Sequence, residues 1–389
     1  MKNKFTSIIM CFITIGIIIA FILLGAIVWD EIKDNFIETS SDDISAEEEK
    51  EFFDNDDDIS KISKKEDDNE IKTDNDSNPL SATNENNNKN EESNNEENDD
   101  ENISPKKYFY KQLNSYSKKI YKEFEKNYNN IKSGTYKLEF GNSFYDILSK
   151  DEGQDELGNY YQSAIEAYTY DNPETFFLSP GKMYLNIEKI TRGNQKTYNV
   201  YIDSGDNENY LIDAYSSKEE VEEALQEIQN ARNEILSNKT GDTYKDVKMV
   251  HDYLVSNLDY DSGAGESHTY DIYGALVNHK CVCEGYAKAF KYLLNGLNIE
   301  STLVIGKGTN SRGESENHAW NYVKIDENWY AVDVTWDDPI IIGGGTSNEI
   351  QYKYFLKGSN VFDNDHFPTG VFTENGKEFI YPELSVEEY

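Results

Sequence analysis

The stretch Cys281-Val282-Cys283-Glu284-Gly285-Tyr286-Ala287 decides how the rest of this sequence is interpreted. Apolar residues recur at helical spacing from its second cysteine onward, at Cys283, Tyr286, Phe290, Leu294 and Leu297. Cys283 therefore falls in the first turn of a helix, on the side that packs inward. A thiol there faces the positive end of the helix dipole and free backbone N–H groups, and both favour the thiolate. The pattern indicates a nucleophilic cysteine.

Two aromatic-rich, alternating segments further along contain a histidine, His318, and an aspartate, Asp333. If they form a hairpin with an even-numbered loop that pairs Ile325 with Asn328, then His318 lies opposite Thr335. Asp333 is then the diagonal neighbour of His318 on the same face. An odd-numbered loop would put the two on opposite faces and exclude the arrangement.

Cysteine, then histidine, then aspartate is the layout of a thiol acyl-transfer enzyme. Asp333 can accept a hydrogen bond from one ring nitrogen of His318, which leaves the other nitrogen for Cys283. The Cys283 N–H can help to hold the oxyanion of a tetrahedral intermediate. Gly285 lets substrate or backbone come close.

The same segments resemble a known family. Val282-Cys283-Glu284-Gly285-Tyr286-Ala287, His318-Ala319-Trp320-Asn321 and Tyr330-Ala331-Val332-Asp333-Val334-Thr335-Trp336 are similar to the transglutaminase-like superfamily of bacterial extracellular proteins. The resemblance spans roughly Asp242 to Pro368. It implies a papain-like α+β core with Cys283 as nucleophile, His318 as general base and then acid, and Asp333 as the group that orients it.

Beside this pattern, Cys281 stands where a glycine is usual. It is a spare thiol, a buried small residue, or half of a strained Cys-x-Cys bridge, and the inert interpretation is favoured. Tyr273 and Trp320 are candidates for the aromatic side chain that completes the family's oxyanion hole, although both fit equally well as core residues. His366 belongs to the family's trailing segment and is predicted to be structural.

The N-terminal part predicts delivery to the cell surface. Residues Ile8 to Val28 form an uncharged apolar run of about 21 residues, long enough for one membrane-spanning helix. Lys2 and Lys4 precede it, so the chain after Asp30 is expected outside the cell. A cleaved signal peptide is the alternative. Residues 1–29 are therefore expected to be a cytoplasmic stub and transmembrane anchor of a single-pass membrane protein.

Residues 30–104 carry 28 acidic and 7 basic side chains and few large apolar ones. Such a segment cannot bury enough surface to offset chain entropy, which predicts a disordered acidic linker. The chain that follows divides into an accessory α+β region, 105–240, and a transglutaminase-like catalytic domain, 241–389. The fold class is thus α+β, with a papain-like core and an N-terminal helical and β accessory region.

Local patterns give the elements of the accessory region. One helix is predicted from Phe109 to Ile131, another around Tyr160 to Tyr168, and two strands over 183–190 and 197–202. Ser217 followed by Glu220 is a capping box that begins a further helix. His251-Asp252, in a helix that starts near Asp242, is expected to be structural.

Several classes of function are excluded. A formal charge of −37 argues against nucleic-acid binding. The five histidines show no metal-ligand spacing, and Gly343-Gly344-Gly345 follows no strand-to-helix pattern, so it predicts a loop rather than a phosphate site. Three cysteines are too few for a disulfide framework. No metal, nucleotide or other cofactor is expected.

The predicted reaction is acyl transfer through a thioester on Cys283. Transfer to water would make the protein a peptidase or amidase, and transfer to an amine would make it a cross-linking transferase. The expected substrate is a surface protein or a cell-wall peptide. Two alternatives stay open: a catalytically silent adhesion or assembly module that retains the fold, and thiol–disulfide chemistry through Cys281 and Cys283.

Overall fold

The computed structural model describes residues 62–63, 106–261, 267–338, 350–372 and 377–389, within one compact unit spanning 48–389. It is an α+β structure. The predicted membrane helix, most of the acidic linker and Gly343–Gly345 lie outside the described residues. No helix in the described part of the chain is both long and apolar enough to cross a bilayer.

The accessory region combines helices with a four-stranded sheet. Its helices are α1 (Ser115–Lys126), α2 (Tyr128–Ile131), α3 (Tyr145–Leu148) and α4 (Gly153–Asp171). Its strands are β1 (Ile62–Ser63), β2 (Leu138–Gly141), β3 (Tyr184–Arg192) and β4 (Gln195–Asp203). The sheet order is β1-β3-β4-β2. Short 3₁₀ turns lie at Tyr110–Gln112, Pro173–Thr175, Pro180–Lys182 and Leu236–Asn238.

The helix predicted from Phe109 to Ile131 is in fact interrupted twice. Asn114 accepts a hydrogen bond from the Ser117 N–H and so begins α1 five residues after Phe109. Asn127 ends α1 and separates it from α2. Asparagine side chains compete for backbone groups and favour caps over helix interiors, and the apolar periodicity alone does not show this.

The two strands predicted over 183–190 and 197–202 are confirmed, and they pair as the β3–β4 hairpin. Arg192 pairs with Gln195, and Gly193 in the two-residue turn has a φ of +62°, a left-handed conformation that glycine adopts without strain. The helix predicted after Ser217 is also present: α5 (Lys218–Ile235) begins with the Ser217 hydroxyl accepting from the Glu220 N–H.

The catalytic part is built around one helix and a second four-stranded sheet. Its helices are α6 (Thr243–Asn257), α7 (Cys283–Leu297), α8 (Val334–Asp337) and α9 (Ser359–Phe362), with a π-helical turn at Gly274–Asn278. Its strands are β5 (Asp259–Tyr260), β6 (Lys280–Cys281), β7 (Ser301–Thr309), β8 (Ser315–Ile325), β9 (Asn328–Val332) and β10 (His366–Pro368). The sheet order is β10-β7-β8-β9, and β5 pairs separately with β6.

Helix α7 packs against β7 and β8 of this sheet. The side chain of Asn321 on β8 donates to the backbone carbonyl of Ala287 at 3.0 Å, which ties the first turns of α7 to the strand that holds His318. The apolar cluster of the accessory region extends into the same place, because it includes Cys283, Ala287 and Ala319. Cys283 therefore lies where the accessory region meets the C-terminal part of the chain.

A buried lysine also joins the two regions. Lys291 on α7 is fully buried, and its Nζ donates to the carbonyls of Ser301 at 3.1 Å and Lys106 at 3.3 Å. Burial lowers the pKa of Lys291, while the nearby carboxylates of Asp171 and Glu174 oppose that shift. Asp171 in turn accepts hydrogen bonds from backbone N–H groups at the start of the accessory region. This network holds α4 and α7 in a fixed relation.

Candidate active site

Cys283 is the first residue of α7, as predicted. The N-cap residue Val282 has an extended backbone and supplies no side-chain hydrogen bond to the helix. The first backbone N–H groups of α7 have no acceptor within the helix, so they can donate to groups outside it. The Cys283 thiol is 4% exposed and lies at the positive end of the helix dipole.

The chain before Cys283 is held tightly. The Val282 N–H donates to the carbonyl of Thr269 at 3.0 Å. A Cβ added at Gly285 would lie 2.5 Å from Cys281 Cβ and 3.3 Å from the Thr269 carbonyl oxygen. The close approach predicted for Gly285 is therefore made by the side chain of Cys281 and this backbone carbonyl.

The hairpin that supplies the other two residues has the predicted even-numbered loop. Ile325 pairs with Asn328, which confirms the register. The strand β9 nevertheless ends at Val332, opposite Asn321, so Thr335 does not pair with His318 as predicted. Asp333 instead caps α8, where its Oδ1 accepts from the Trp336 N–H at 3.1 Å. An aspartate at an N-cap begins a helix here, and this overrides the β-rich composition of the segment.

His318 and Asp333 meet directly. His318 Nε2 donates to Asp333 Oδ2 at 2.7 Å, and both side chains are buried. The remaining ring nitrogen, Nδ1, is not used by Asp333, and Cys283 is the side chain that, after Asp333, raises the pKa of His318. The three predicted catalytic residues are thus brought together in the order cysteine, histidine, aspartate.

The electrostatics of the pair favour an ion pair. Burial opposes a charge on His318, but the Asp333 carboxylate and its hydrogen bond outweigh burial and raise the pKa of His318 well above its usual value. The pKa of Asp333 is lowered despite burial, first by His318 and then by His366. Both directions agree that His318 is readily protonated beside an ionised Asp333, as a thiolate–imidazolium site requires.

A second histidine contacts the same carboxylate. His366 Nε2 lies 3.0 Å from Asp333 Oδ2, and His366 Nδ1 lies 2.8 Å from Asp365 Oδ1. His366 comes from β10, on the edge of the sheet next to β7. No local sequence pattern indicates this contact, because β10 reaches Asp333 only through long-range strand pairing. The structural role predicted for His366 therefore omits its place beside the triad.

Aromatic rings enclose the histidines. The Trp336 ring stacks on His318 with centroids 5.0 Å apart. A Cβ added at Gly308 would lie 2.8 Å from the Trp336 ring, so only glycine leaves room for that ring. Trp320, one of the two oxyanion candidates, is 1% exposed, and its ring stacks with that of His318 at a centroid distance of 5.9 Å. It shares a face of β8 with His318, two residues away. These rings keep water away from the His318–Asp333 pair.

Tyr273, the other oxyanion candidate, precedes the π-helical turn. Its hydroxyl donates to Glu227 Oε2 at 2.6 Å, and this carboxylate raises the pKa of Tyr273 to about 12. The ring packs beside His268, with centroids 4.5 Å apart. In this structure the hydroxyl is therefore engaged with α5.

Cys281 is buried in β6, and both described cysteines are free thiols. Burial, and then the neighbouring Cys283, raise the pKa of Cys281 well above its usual value. A buried thiol with a raised pKa is a poor nucleophile. These observations favour the inert interpretation of Cys281 over a Cys-x-Cys bridge.

One cluster among the described residues has the composition of a metal site: His318, Asp333 and His366, whose donor atoms lie within 4.8 Å of one another. Two donors that share a tetrahedral zinc ion at about 2.0–2.1 Å stand about 3.3 Å apart. The nitrogen–oxygen separations of 2.7 and 3.0 Å are shorter and fit hydrogen bonds.

Part of the chain matches the model of a known protein family. Residues 229–334 match the family model described as the transglutaminase-like superfamily. This part of the chain is transglutaminase-like. The matched residues begin in α5 and end at the first residue of α8, so they include Cys283, His318 and Asp333.

The curated relatives are peptidases by name. The chain is 25% identical to mouse kyphoscoliosis peptidase over 157 residues, which are 36% of this chain and 24% of that protein. It is 25% identical to the human protein over 170 residues, 40% of this chain and 25% of the relative. The chain thus spans about a quarter of the length of the curated relatives that it matches.

Solved structures with partial similarity include a TGase, at 17% identity with a TM-score of 0.28, covering 44% of this chain and 48% of that one. Another is a protein titled a putative cysteine protease from Cytophaga hutchinsonii, at 15% identity with a TM-score of 0.24, covering 39% of this chain and 62% of that one. TM-scores this low add no weight to the sequence match.

Proposed function

We propose that this protein is a cysteine-dependent acyltransferase that cleaves amide bonds through a thioester on Cys283. The observation that carries the proposal is the buried His318–Asp333 hydrogen bond, together with a cysteine at the start of α7 whose interaction with His318 adds to the raised pKa of that histidine. Transglutaminase-like proteins and cysteine peptidases share this chemistry, which is consistent with the match over residues 229–334.

The proton steps follow from the geometry. The Cys283 thiolate attacks the carbonyl carbon, and helix N–H groups at the start of α7 stabilise the oxyanion. His318, protonated on both nitrogens, donates the Nδ1 proton to the departing amine, which leaves a thioester. Neutral His318 then takes a proton from the incoming water or amine as it attacks the thioester carbon. The carbon–sulfur bond breaks, which releases the acyl product and restores the Cys283 thiolate beside protonated His318. Asp333 keeps the His318 ring oriented and stabilises its positive charge while the thioester forms and while it breaks down.

We place the substrate in a cavity that is lined partly by α7, the helix that begins with Cys283. It has a volume of about 510 Å³, and its walls include Lys288 of α7 and His268, the residue next to Thr269, whose carbonyl holds Val282. The opposite wall comes from the accessory region. The lining mixes aromatic rings with acidic side chains, namely Tyr170, Phe176, Tyr270 and Phe372 with Glu166, Asp213 and Asp271. Such a surface suits a polypeptide better than a small apolar ligand.

The accessory region is therefore proposed to select the substrate. Phe176→Ala should raise KM and leave the alkylation rate of Cys283 by a small reagent unchanged, because the ring lines the cavity but does not touch the triad. An unchanged KM, or a loss of alkylation, would argue against this placement. We further propose a cell-surface protein or wall peptide as the substrate, with the apolar N-terminal segment as the membrane anchor.

The test separates transfer from hydrolysis. The full-length protein is incubated with a surface extract and a labelled primary amine, and wild type is compared with Cys283→Ala. Label attached to protein by the wild type alone would indicate a transferase, and new peptide ends would indicate a peptidase. Neither product, with wild type equal to Cys283→Ala, would contradict the proposal in favour of a silent surface module.

A further inference from the structure

The hydrogen-bond network of His318 and Asp333 extends to further side chains. Asp333 Oδ2 accepts from His318 Nε2 at 2.7 Å and from His366 Nε2 at 3.0 Å. His366 Nδ1 lies 2.8 Å from Asp365 Oδ1, and Asp365 Oδ2 accepts from the Tyr354 hydroxyl at 2.7 Å. A continuous path of polar contacts thus links the half-buried Asp365 to the catalytic histidine.

The partners of His366 determine where its protons lie. Both ring nitrogens face carboxylate oxygens, and an ionised carboxylate only accepts hydrogen bonds. The ring satisfies both contacts when it donates from both nitrogens, which gives it a positive charge. The His366 side chain is fully buried, so solvent does not screen this charge from Asp333. One oxygen of Asp333 is therefore shared between two imidazole donors.

We propose that His366 is a positioning residue for His318: it fixes the Asp333 carboxylate and, by its charge, limits how strongly Asp333 holds the proton of His318. The inference rests on the proposed function. His318 must release its proton to the leaving amine, and a carboxylate that served His318 alone would hold that proton more firmly. His366 makes the same oxygen a good anchor and a weaker proton trap.

The surroundings of the cluster are mostly acidic. The titratable groups facing it are Cys283 from α7, Asp337 from α8, and Tyr354, Asp363 and Asp365 from the segment that leads into β10. A positive His366 therefore offsets negative charge that would otherwise add to the effect of Asp333 on His318.

The molecule contains a matched control for a purely structural role. His251 on α6 is also fully buried between two carboxylates, with Nδ1 3.1 Å from Asp252 Oδ1 and Nε2 3.1 Å from Asp337 Oδ2. Asp337 lies at the other end of α8 from Asp333. The two histidines have the same kind of environment, but only His366 bonds to the carboxylate of the triad.

The test is the pH profile of Cys283 alkylation by iodoacetate, whose negative charge is attracted by the His318 imidazolium. The full-length protein is compared with His366→Gln, His366→Leu, Asp365→Asn and His251→Gln. A glutamine amide can still donate to Asp333 but carries no charge. We expect His366→Gln to shift the alkaline limb, where His318 loses its proton, to higher pH by about one unit. His366→Leu should slow alkylation about 10- to 100-fold, the effect of losing a charge-assisted hydrogen bond.

The remaining variants keep the inference testable if the leucine variant fails to fold. Asp365→Asn removes the carboxylate that stabilises the positive charge of His366. It should move the alkaline limb in the same direction as His366→Gln, but by less. His251→Gln should lower the melting temperature without moving the limb. A wild-type profile for the His366 and Asp365 variants would overturn the inference, and so would an equal shift in His251→Gln.

Three further outcomes can be told apart. One equivalent of zinc that survives dialysis and is lost in His366→Gln would replace the positioning role with a metal centre and overturn the inference. If wild-type Cys283 reacts no faster than free cysteine at any pH, the proposed function itself fails. If wild-type Cys283 is fast and the His366 variants match it, only the inference fails.

Discussion

Cys281 and Cys283 are two residues apart, yet the structure gives them opposite chemistry. Cys281 ends the short strand β6, is fully buried, and has a pKa raised by burial. Cys283 begins α7 and interacts with His318, whose pKa it helps Asp333 to raise. Burial is similar for both, at 0% and 4% exposure. The difference comes from the helix start and the histidine, so what surrounds a cysteine matters more than how deeply it is buried.

The largest effect is expected when the histidine of this comparison loses its orientation. Asp333→Asn should lower turnover about 10²- to 10⁴-fold, because the neutral amide no longer stabilises the imidazolium and can turn its NH₂ toward His318 Nε2, which favours the wrong tautomer. The measurement is kcat with the substrate found in the labelling experiment. A loss smaller than threefold would contradict the role of Asp333.

A second prediction concerns the packing of Cys281 against α7. Gly285→Ala should destabilise the protein by about 1–3 kcal/mol, because the new Cβ would lie 2.5 Å from Cys281 Cβ and 2.8 Å from its Sγ. Adding Cys281→Gly, which removes both atoms, should recover part of that loss. Denaturant unfolding of the two single variants and the double variant measures this coupling. Strict additivity would show that Cys281 is not the obstacle.

The ion pair behind Cys283 predicts how stability depends on pH. The pKa of His318 is raised on folding, so its contribution is complete below its unfolded value of about 6.5 and is lost as pH rises through the folded pKa. The pKa of Asp333 is lowered, so its contribution is present above its unfolded value of about 3.9 and is lost as pH falls. The stability difference between wild type and Asp333→Asn should therefore be greatest at about pH 4–6.5. A difference that is constant from pH 3 to 9 would contradict the ion pair.

The smallest effect is expected at Cys281 itself. Cys281→Ser should change kcat/KM less than about threefold, since Cys281 is buried and lies on β6 rather than on the nucleophile's helix. Loss of activity in this variant, with unfolding temperature unchanged, would favour thiol–disulfide chemistry between the two cysteines.

The sequence predicted the parts of the site that depend on local pattern. Helical spacing placed Cys283 in the first turn of α7, and the even-numbered loop placed Ile325 opposite Asn328. It failed where a single polar side chain changed the local geometry. Asp333 leaves the strand to cap α8, and it reaches His318 from that cap rather than from a paired strand position.

Contacts between distant parts of the chain could not be predicted from local sequence patterns. His366 reaches Asp333 only because β10 pairs with β7 at the edge of the sheet. The cavity next to α7 exists because the accessory region packs there, and no local pattern marks its walls. The sequence predicts a close approach at Gly285, but only the fold shows that the side chain of Cys281 makes it.

The most direct test of the account is the alkylation rate of Cys283 relative to Cys281 in the same molecule. Both lie on one tryptic peptide, 281–288, so tandem mass spectrometry assigns the label to either residue. At pH 6 a free cysteine is only about 0.3% thiolate. We predict that at this pH Cys283 is labelled at least about tenfold faster than free cysteine, and that Cys281 in the native protein is labelled more slowly than free cysteine. Equal labelling of the two residues, or labelling of Cys283 at the rate of free cysteine, would contradict the account.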